Sequence, residues 1–404
     1  MRPVRILMIA PEPFFEPRGT PFSEYHRIRA LTALGHEVDL VTYPFGKNVT
    51  MSGLRIFRCL RPPFVNGVKI GPSLAKIPLD VSLSLSALRR AFAGRYDAVH
   101  SHEEGGLIGI ILAGLLRVPH LYDMHSSLPQ QMNNFAFSGS ALVRWPFEII
   151  ERLMIRQSRA VIVICAALED TVRAIAPKAN VILIENAPGS AEDAATVDDA
   201  RAVRRTHGIA DTAPLVVYTG TFEAYQGLDL LFAAMAVVRQ QRPDARLLMA
   251  GGKPDQVQLA ARAAHAAGIG DVTIFAGERP ASEIPAYLLA ANALASPRSR
   301  GTNTPLKIYQ YLRSGQPIVA TRLLTHTQVL DDDSAILTDA SPEGFARGLL
   351  SALNDRAYAA QIGRQAKQLA DTRYSYEAYL ERTGRAYAAL NPPSVSVTAA
   401  KDLA

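Results

Sequence analysis

The chain of 404 residues has few cysteines and no long apolar run. Cys59 and Cys165 are its only cysteines, and they lie far apart. This excludes a disulfide-stapled secreted domain and a cysteine-based zinc site, and it fits a reducing compartment. The apolar run at residues 6–10 is too short for a secretory signal, and the run at 105–116 is too short to span a bilayer. These runs predict a first strand and a buried helix instead.

Composition and charge narrow the class of protein without identifying a partner. Hydrophobic residues make up 48% and charged residues 20% of the chain, which excludes a wholly disordered or collagen-like protein. Residues 1–95 contain 14 Lys and Arg against 6 Asp and Glu, a local net charge of +8. This basic region fits nucleic acid, an anionic membrane, a phosphorylated substrate, or a soluble enzyme with a scattered positive surface. Nucleic acid is disfavoured, because no basic motif with interleaved aromatic residues is present.

Two series of short β-branched runs, each alternating with helical patterns, predict the fold. Apolar strands separated by helices are typical of parallel sheets covered on both faces. We predict an α/β protein with two doubly wound, Rossmann-like domains that face each other across a cleft. Ligands bind such sheets beyond the carboxyl ends of the strands, so the residues that follow strands are the informative ones.

The domain boundaries are predicted from composition. The first domain is predicted at 1–188, an acidic, alanine-rich linker at 189–200, the second domain at 201–372, a further helix at 373–390, and a disordered tail at 391–404.

The segment after a predicted strand ending at Ser296 has the features of an anion site. A loop leads into a helix whose first residue is predicted to be Pro305, with Thr304 as the N-cap. Free N–H groups and the positive dipole at a helix amino terminus attract an anion. Three cations lie beside this terminus, namely Arg298, Arg300 and Lys307. The pattern predicts a cradle for a diphosphate, and the alternative is an ordinary α/β turn with solvated bases.

This segment resembles the hallmark of the family-4 glycosyltransferases of the GT-B fold. When the Gly-x-Pro that ends the hallmark is set on residues 315–317, its two glutamates fall on Thr302 and Gln310 and its glycine on Pro305. Both acids are then replaced by neutral side chains. The resemblance implies that Gln310 contacts the nucleotide ribose, that Thr302 contacts the donor sugar, and that Lys307 binds phosphate. Donor contacts are also implied for Asn303, Thr304, Pro305, Leu306 and Arg298.

A second stretch, residues 217–231, resembles the family's segment that binds the donor diphosphate. Its glycines match at Gly220 and Gly227, whereas the family's arginine and lysine fall on Thr221 and Gln226. Two more charges are thus missing. We expect the three cations of the preceding segment to supply the positive charge instead.

Further positions resemble the family in order along the chain. Donor contacts are implied for Gly19 and Thr20 in an amino-terminal loop, Gly251 and Gly252 in a glycine turn, and Glu278 and Arg279 beside the nucleotide base. His125 ends a predicted strand, and the resemblance implies that it acts at the reacting centre. The alternative is a histidine whose hydrogen bonds are satisfied within an interface.

Two further histidines suggest a metal site only weakly. His100 and His102 stand two apart on a predicted strand, with Glu103 and Glu104 beside them. No cysteine pair or third histidine cluster supports this interpretation, and the family needs no protein-bound metal. We expect neither a metal nor a cofactor, because the nucleotide sugar is a substrate.

A basic amphipathic stretch at residues 68–95 leaves two alternatives open. Its leucines and isoleucines are interspersed with arginines and lysines, a pattern that can lie on anionic lipid. The same pattern fits a helix packed on the sheet with solvated arginines.

The resemblance covers about residues 1–390 and implies a retaining, hexosyltransferase-type enzyme. It also implies that the helix at 373–390 crosses back to the first domain. We expect a UDP- or GDP-sugar donor bound by the second domain and a glycan or lipid-linked acceptor bound by the first. The expected location is the cytoplasm or the inner face of its membrane. Two other classes stay open: a catalytically degenerate protein that binds nucleotide sugar or scaffolds a glycosylation complex, and another GT-B enzyme such as an epimerase or phosphorylase.

Overall fold

The structure is a computed structural model that describes residues 2–16, 19–68, 76–129, 141–185 and 195–390. The chain divides into two compact units. Unit 1 comprises Met1–Ile164, Leu168–Ile184 and Leu380–Ala404, and unit 2 comprises Cys165–Ala167 and Glu185–Tyr379. Residues 189–194 of the predicted linker and the predicted tail at 391–404 lie outside the described residues.

Unit 1 is built on a parallel sheet of seven strands. The strands are β1 (Arg5–Ala10), β2 (Glu37–Thr42), β3 (Leu54–Arg58), β4 (Ala98–His102), β5 (His120–Met124), β6 (Ala160–Val163) and β7 (Val181–Leu183). They lie in the order β3-β2-β1-β4-β5-β6-β7, so the strand order reverses direction between β1 and β4. The helices of this part of the chain are α1 (Gly19–Ala33), α2 (Lys76–Ala93), α3 (Gly106–Leu116), α4 (Ala141–Gln157) and α5 (Ala166–Ile175).

Unit 2 repeats the architecture with six parallel strands. They are β8 (Leu215–Thr219), β9 (Arg246–Ala250), β10 (Thr273–Gly277), β11 (Ala293–Ser296), β12 (Ile318–Thr321) and β13 (Ile336–Thr338). Their order is β10-β9-β8-β11-β12-β13, with the reversal between β8 and β11. The helices are α6 (Val197–Thr206), α7 (Leu228–Gln241), α8 (Pro254–Ala266), α9 (Ile284–Leu289), α10 (Lys307–Ser314), α11 (Leu324–Thr327), α12 (Pro342–Asn354), α13 (Arg356–Arg373) and α14 (Tyr376–Ala388). The predicted class, two doubly wound α/β units, is confirmed.

The central strands are buried along their whole length. All residues of β4, β5 and β8 are buried, because helices cover both faces of each sheet. On one face of the first sheet, Leu79, Leu83 and Ala87 of α2 pack in a core with Leu7 and Ile9 of β1. Polar chemistry is therefore left to the strand ends, above all where the strand order reverses.

Two helix starts depend on residues in the first turn. Helix α1 begins at Gly19, and it tolerates Pro21 because a missing N–H in the first turn costs no hydrogen bond. Helix α6 begins inside the predicted linker. Its N-cap hydroxyl on Thr196 accepts from the Asp199 N–H at 3.2 Å, and the Asp199 carboxylate accepts from the Thr196 N–H at 2.9 Å. The acidic residues at the end of the predicted linker therefore lie at the start of a helix, near the positive end of its dipole.

The chain returns to unit 1 through the second half of α14. Residues from Leu380 onward belong to unit 1. The Thr383 hydroxyl accepts from Arg27 Nη1 at 3.2 Å. The Tyr387 hydroxyl lies 2.6 Å from His100 Nδ1, and its ring stacks on His36 at 5.3 Å between centroids. The last described helix therefore completes the core of the unit that begins the chain.

Candidate functional site

In unit 2 the predicted donor residues gather at the carboxyl ends of β8, β9 and β11. The loops after β8 and β9 meet through main-chain atoms. A Cβ at Gly251 would stand 1.9 Å from the Gly220 carbonyl oxygen, and a Cβ at Gly252 would stand 2.5 Å from the Phe222 ring. Gly251 also has a φ of +130°, which L side chains rarely adopt. The glycines that the sequence singled out therefore let two loops close over the strand ends.

Lys307 supplies a buried amine at this edge. It is the first residue of α10 and only 8% exposed, and its Nζ lies 3.8 Å from the centroid of the Tyr218 ring. The same Nζ lies 3.7 Å from where a Cβ of Gly220 would stand. It has no hydrogen-bond partner among the described residues. Burial, and then the neighbouring Arg298, hold the pKa of Lys307 well below its usual range. An anion beside it would reverse that shift.

Arg298 orders the loop that follows β11. Its Nη1 donates to the Asn303 carbonyl at 2.7 Å and to the Thr325 hydroxyl at 3.1 Å. Its guanidinium lies 5.0 Å from the Tyr225 ring centroid, and burial lowers its pKa, although a guanidinium stays charged at neutral pH. Arg300, in contrast, is exposed. Arg298 and Lys307 are thus the two cations that the fold holds inward here.

The predicted start of the following helix is wrong. Helix α10 begins at Lys307, and its N-cap is Leu306, which makes no side-chain capping bond. The Pro305 carbonyl accepts from the Ile308 N–H at 3.0 Å, and the Leu306 carbonyl accepts from the Tyr309 N–H at 3.3 Å. These i→i+3 bonds form a tight turn before the helix, so Thr304 is not the N-cap and Pro305 is not the first helical residue.

Thr302, Asn303 and Gln310 flank this turn. The Thr302 carbonyl accepts from Gln328 Nε2 at 2.6 Å, and the Asn303 carbonyl accepts from the Thr325 hydroxyl at 2.6 Å. Gln310 is half-buried and follows Lys307 by three residues, so both lie on the same face of α10. The main chain of the loop is thereby held in one arrangement beside the two cations.

Thr221 and Gln226 form a hydrogen bond with each other. They stand at the positions where the resemblance expects two cations. Gln226 Nε2 donates to the Thr221 hydroxyl at 3.4 Å, and Gln226 is 9% exposed. Gly227 closes this loop onto the one after β11, because a Cβ there would stand 2.1 Å from the Pro297 carbonyl oxygen. A neutral hydrogen-bonded pair therefore stands where the family has an arginine and a lysine.

The remaining donor candidates lie further from Lys307 or in the other unit. Glu278 and Arg279 are exposed after β10, the edge strand, and Arg279 lies 4.0 Å from Glu283. Gly19 and Thr20 begin α1 in unit 1. Their predicted contacts with donor stay predictions.

His125 belongs to a buried polar cluster at the ends of β4 and β5. Its Nε2 lies 3.0 Å from His102 Nδ1 and 3.4 Å from Asp123 Oδ1. Asp123 is fully buried and accepts from Arg27 Nε at 2.9 Å. Burial alone would raise the pKa of Asp123, but Arg27 and the histidines hold it well below its usual range. Burial lowers the pKa of His125 to about 4, so the ring is neutral at pH 7.

Three members of this cluster could hold a metal ion. One ligand atom each from His100, His102 and Asp123 lies within 4.8 Å of the other two. The Arg27 guanidinium, however, already neutralises the Asp123 carboxylate, which disfavours a divalent cation beside it. The expectation that the protein binds no metal stays a prediction.

The sequence analysis missed a group of buried carboxyl groups in unit 1. Glu12 follows β1 and Glu103 follows β4, the two strands between which the strand order reverses. Glu24 of α1 is fully buried. Burial raises the pKa of all three, that of Glu103 to about 8, although Ser126 donates to the Glu103 carboxylate at 2.8 Å. The strand-end rule alone would have found Glu12 and Glu103.

Comparisons with known proteins find related sequences over most of the chain. A family model described as "Glycosyl transferases group 1" matches residues 199–369, and one described as "Glycosyl transferase 4-like domain" matches residues 25–187. Among curated proteins, the chain is 24% identical to the sulfoquinovosyl transferase of Arabidopsis thaliana over 91% of this chain and 70% of that protein. It is 26% identical to the D-inositol 3-phosphate glycosyltransferase of Corynebacterium diphtheriae, over 83% of this chain and 81% of that protein.

Solved structures share the fold over nearly the whole chain. Anabaena HepE, in a complex with UDP, superposes with a TM-score of 0.74 at 16% identity, covering 95% of this chain and 99% of that one. Sucrose-phosphate synthase from Thermosynechococcus elongatus superposes with a TM-score of 0.77 at 20% identity, covering 96% and 99%.

The close approach of the strand-end loops can be tested with Gly251→Ala. A Cβ would strike the Gly220 carbonyl and also strain a positive φ, so we expect a loss of roughly 3 kcal/mol in the free energy of unfolding, measured by urea denaturation. The matched control is Gly268→Ala, with a φ of +74° but open space around the Cβ, which should cost only about 1 kcal/mol. Equal losses in the two variants would show that the contact does not matter.

The raised pKa of Glu103 predicts a pH dependence of stability. The folded pKa of about 8 exceeds the ordinary value of 4.5, so folding favours the protonated acid. Its contribution is complete below the unfolded pKa and is lost as the pH rises through about 8. We expect the Tm of the wild type to fall as the pH rises from 4.5 to about 8, and we expect a smaller fall for Glu103→Gln. Glu377→Gln, at an exposed position, should show the same fall as the wild type. A wild-type slope in Glu103→Gln would contradict the assignment.

Proposed function

Because the chain belongs to the family-4 glycosyltransferases of the GT-B fold, we propose that it transfers a sugar from a nucleotide-sugar donor to an acceptor with retention of anomeric configuration. The observation that supports donor binding most directly is the buried amine of Lys307, which has no hydrogen-bond partner among the described residues. A buried cation without a counter-charge is costly, and a diphosphate beside Gly220 would supply that charge.

The proposed donor site lies in unit 2. Lys307 and Arg298 pair with the diphosphate, and the N–H groups at the start of α10 add to their field. Gly220 leaves room for the phosphates to approach the main chain, and Gly251 lets the neighbouring loop close against it. The solved complexes of Anabaena HepE contain UDP and UDP-glucose, and we propose a UDP- or GDP-sugar for this chain.

Other predicted residues take the remaining parts of the donor. We propose that Gln310 bonds a ribose hydroxyl, since it shares a helix face with Lys307. Thr302 and Asn303 contact the sugar from the loop that Arg298 orders. Gly252, Glu278 and Arg279 are proposed to bound the base, and His125 is proposed to act at the reacting centre.

The proposed chemistry needs no residue as covalent nucleophile. The bond from the anomeric carbon to the diphosphate oxygen breaks, a bond from an acceptor hydroxyl oxygen forms on the same face, and the hydroxyl proton passes to the departing diphosphate. Positive charge at Lys307 and Arg298 stabilises the charge that develops on that oxygen. The acceptor is proposed to be a glycan or a lipid-linked molecule bound by unit 1. The cytoplasm is the proposed location, in keeping with two free cysteines.

Thermal-shift measurements test donor binding. We expect one of the UDP-, GDP-, ADP- or dTDP-sugars to raise the Tm by several degrees at saturation, because a ligand that binds only the folded state stabilises it. Lys307→Ala should weaken that binding by at least about ten-fold, since it removes a charged partner of the diphosphate. The matched control is Lys367→Ala, an exposed lysine on α13 that pairs with Asp371. The proposal fails if no nucleotide sugar shifts the Tm, or if both variants behave alike.

Product analysis separates the proposed enzyme from a second candidate. The second candidate is a degenerate protein that binds nucleotide sugar without turnover, and the neutral Thr221–Gln226 pair favours it. With the sugar that gives the largest thermal shift, we expect release of nucleoside diphosphate, and NMR of the product should show the anomeric configuration of the donor. Inverted product would contradict retention. Tight binding without release, across glycan and lipid-linked acceptors, would favour the degenerate candidate.

A further inference from the structure

Unit 1 carries most of the large apolar side chains that the structure leaves in water. Among the described residues, thirteen such side chains are exposed in unit 1 and three in unit 2. The three in unit 2, Val197, Leu259 and Leu324, lie on three different helices. Most of those in unit 1 lie on three neighbouring helices. Scattered single apolar residues are ordinary on a protein surface, but a concentration of this kind marks an interaction site.

Helix α2 has two apolar stripes, one on each side. The inward stripe is Leu79, Leu83, Ala87 and Ala91, each at most 2% exposed. The outward stripe is Ile77, Val81, Leu85, Leu88 and Phe92, each between 37% and 68% exposed. Both stripes follow the helical spacing of three and four residues. Packing on the sheet accounts for the first stripe, and the second has no partner among the residues that the structure describes. Both alternatives drawn from the sequence of residues 68–95 can therefore hold at once.

The outward stripe of α2 continues onto its neighbours. Helix α3 packs between α2 and α4 and exposes Ile111 and Leu115. Helix α4 exposes Trp145, Ile149 and Leu153, again four residues apart. These exposed apolar residues of α2, α3 and α4 form what we call the three-helix surface. An apolar groove of about 410 Å³ runs along it between α2 and Ile108 of α3.

The exposed charges on the three helices, where the structure describes them, have one sign. They are Arg89, Arg152 and Arg156. Arg95 and Arg117 follow the ends of α2 and α3, and the exposed Asp97 after Arg95 accepts from the Arg5 N–H at 2.8 Å. Where the structure describes their side chains, the acids of the three helices are buried or half-buried. Asp80 accepts a hydrogen bond from the Tyr43 hydroxyl, and Glu151 accepts from the Leu128 N–H at 2.8 Å. The surface therefore offers apolar side chains and positive charge together.

We infer that the three-helix surface docks on an anionic lipid bilayer. Its apolar side chains enter the region between headgroups and acyl chains, and its arginines pair with lipid phosphates. A bilayer fits because the apolar side chains stand on one layer of helices, whose exposed charged side chains are all arginines where the structure describes them. Among the described residues, no helix has both the length and the hydropathy needed to cross a membrane. This inference does not depend on the proposed donor chemistry.

The single tryptophan reports directly on this contact. Trp145 is the only tryptophan in the chain and is 63% exposed on the three-helix surface. Added to the full-length protein, vesicles of phosphatidylcholine with phosphatidylglycerol should shift its fluorescence to shorter wavelength and protect it from an aqueous quencher. Vesicles of phosphatidylcholine alone should do so much less, and high salt should weaken the effect. An unchanged spectrum with anionic vesicles would overturn the inference.

Flotation of variants tests which residues make the contact. Leu85→Glu and Ile149→Glu should each lower the partition constant for anionic vesicles, measured by flotation, by about ten-fold. Each substitution removes an apolar side chain that would be buried in the bilayer and adds a negative charge that the anionic lipids repel. The matched control is Leu259→Glu, at an apolar position of unit 2 that is 60% exposed against 64% for Leu85. It should float like the wild type. Circular dichroism and the Tm check that the variants are folded.

Self-association is the competing outcome. If the three-helix surface joined two copies of the chain, light scattering would show a dimer that Leu85→Glu dissociates, and vesicles would not bind. That result would overturn the inference, as would equal flotation of Leu85→Glu and Leu259→Glu. Salt-sensitive flotation of the wild type that both variants of the surface lose, with the control unaffected, would support it.

Discussion

The structure depends on one constraint, that parallel strands covered on both faces leave no room for polar chemistry along their length. The central strands of both sheets are buried throughout, so ionisable side chains collect where the strands end. In unit 2 this edge brings Lys307 to Gly220, and in unit 1 it brings Arg27 to Asp123. In unit 1 the cation pairs with a carboxylate of the same unit. In unit 2 the described residues provide none, and this contrast supports the proposal of a donor site there.

The fold could be predicted from the sequence because its signals are local. Each predicted strand is a short apolar run, and each of the glycines Gly220, Gly227 and Gly251 stands at a turn that only a residue without Cβ can make. Helix starts were less predictable. Pro305 looked like a first helical residue, but a tight turn precedes the helix and moves the start to Lys307. Whether a turn or a helix follows a proline depends on packing that no local pattern carries.

The candidate site could be predicted only in part, because pairing between distant residues is invisible in sequence. The resemblance identified Thr221 and Gln226 as neutral replacements, yet not that they bond to each other. Glu24 and Arg27, one turn apart on α1, are both buried, and nothing in their spacing tells which has a counter-charge. Similarly, α2 has an apolar stripe on each of two sides, and only packing on the sheet decides which of them is covered.

The return of α14 to unit 1 has a consequence for synthesis of the chain. Tyr387 packs on His36 and His100, which are made hundreds of residues earlier. Unit 2 is encoded between them, so a ribosome releases nearly all of it before the second half of α14 has been made. Until then the sites of Thr383 and Tyr387 beside Arg27 and His100 stay unfilled. Completion of unit 1 is therefore a late, non-local event that must wait until α14 has been synthesised, whereas nearly all of unit 2 comes from one continuous stretch and can fold as it emerges.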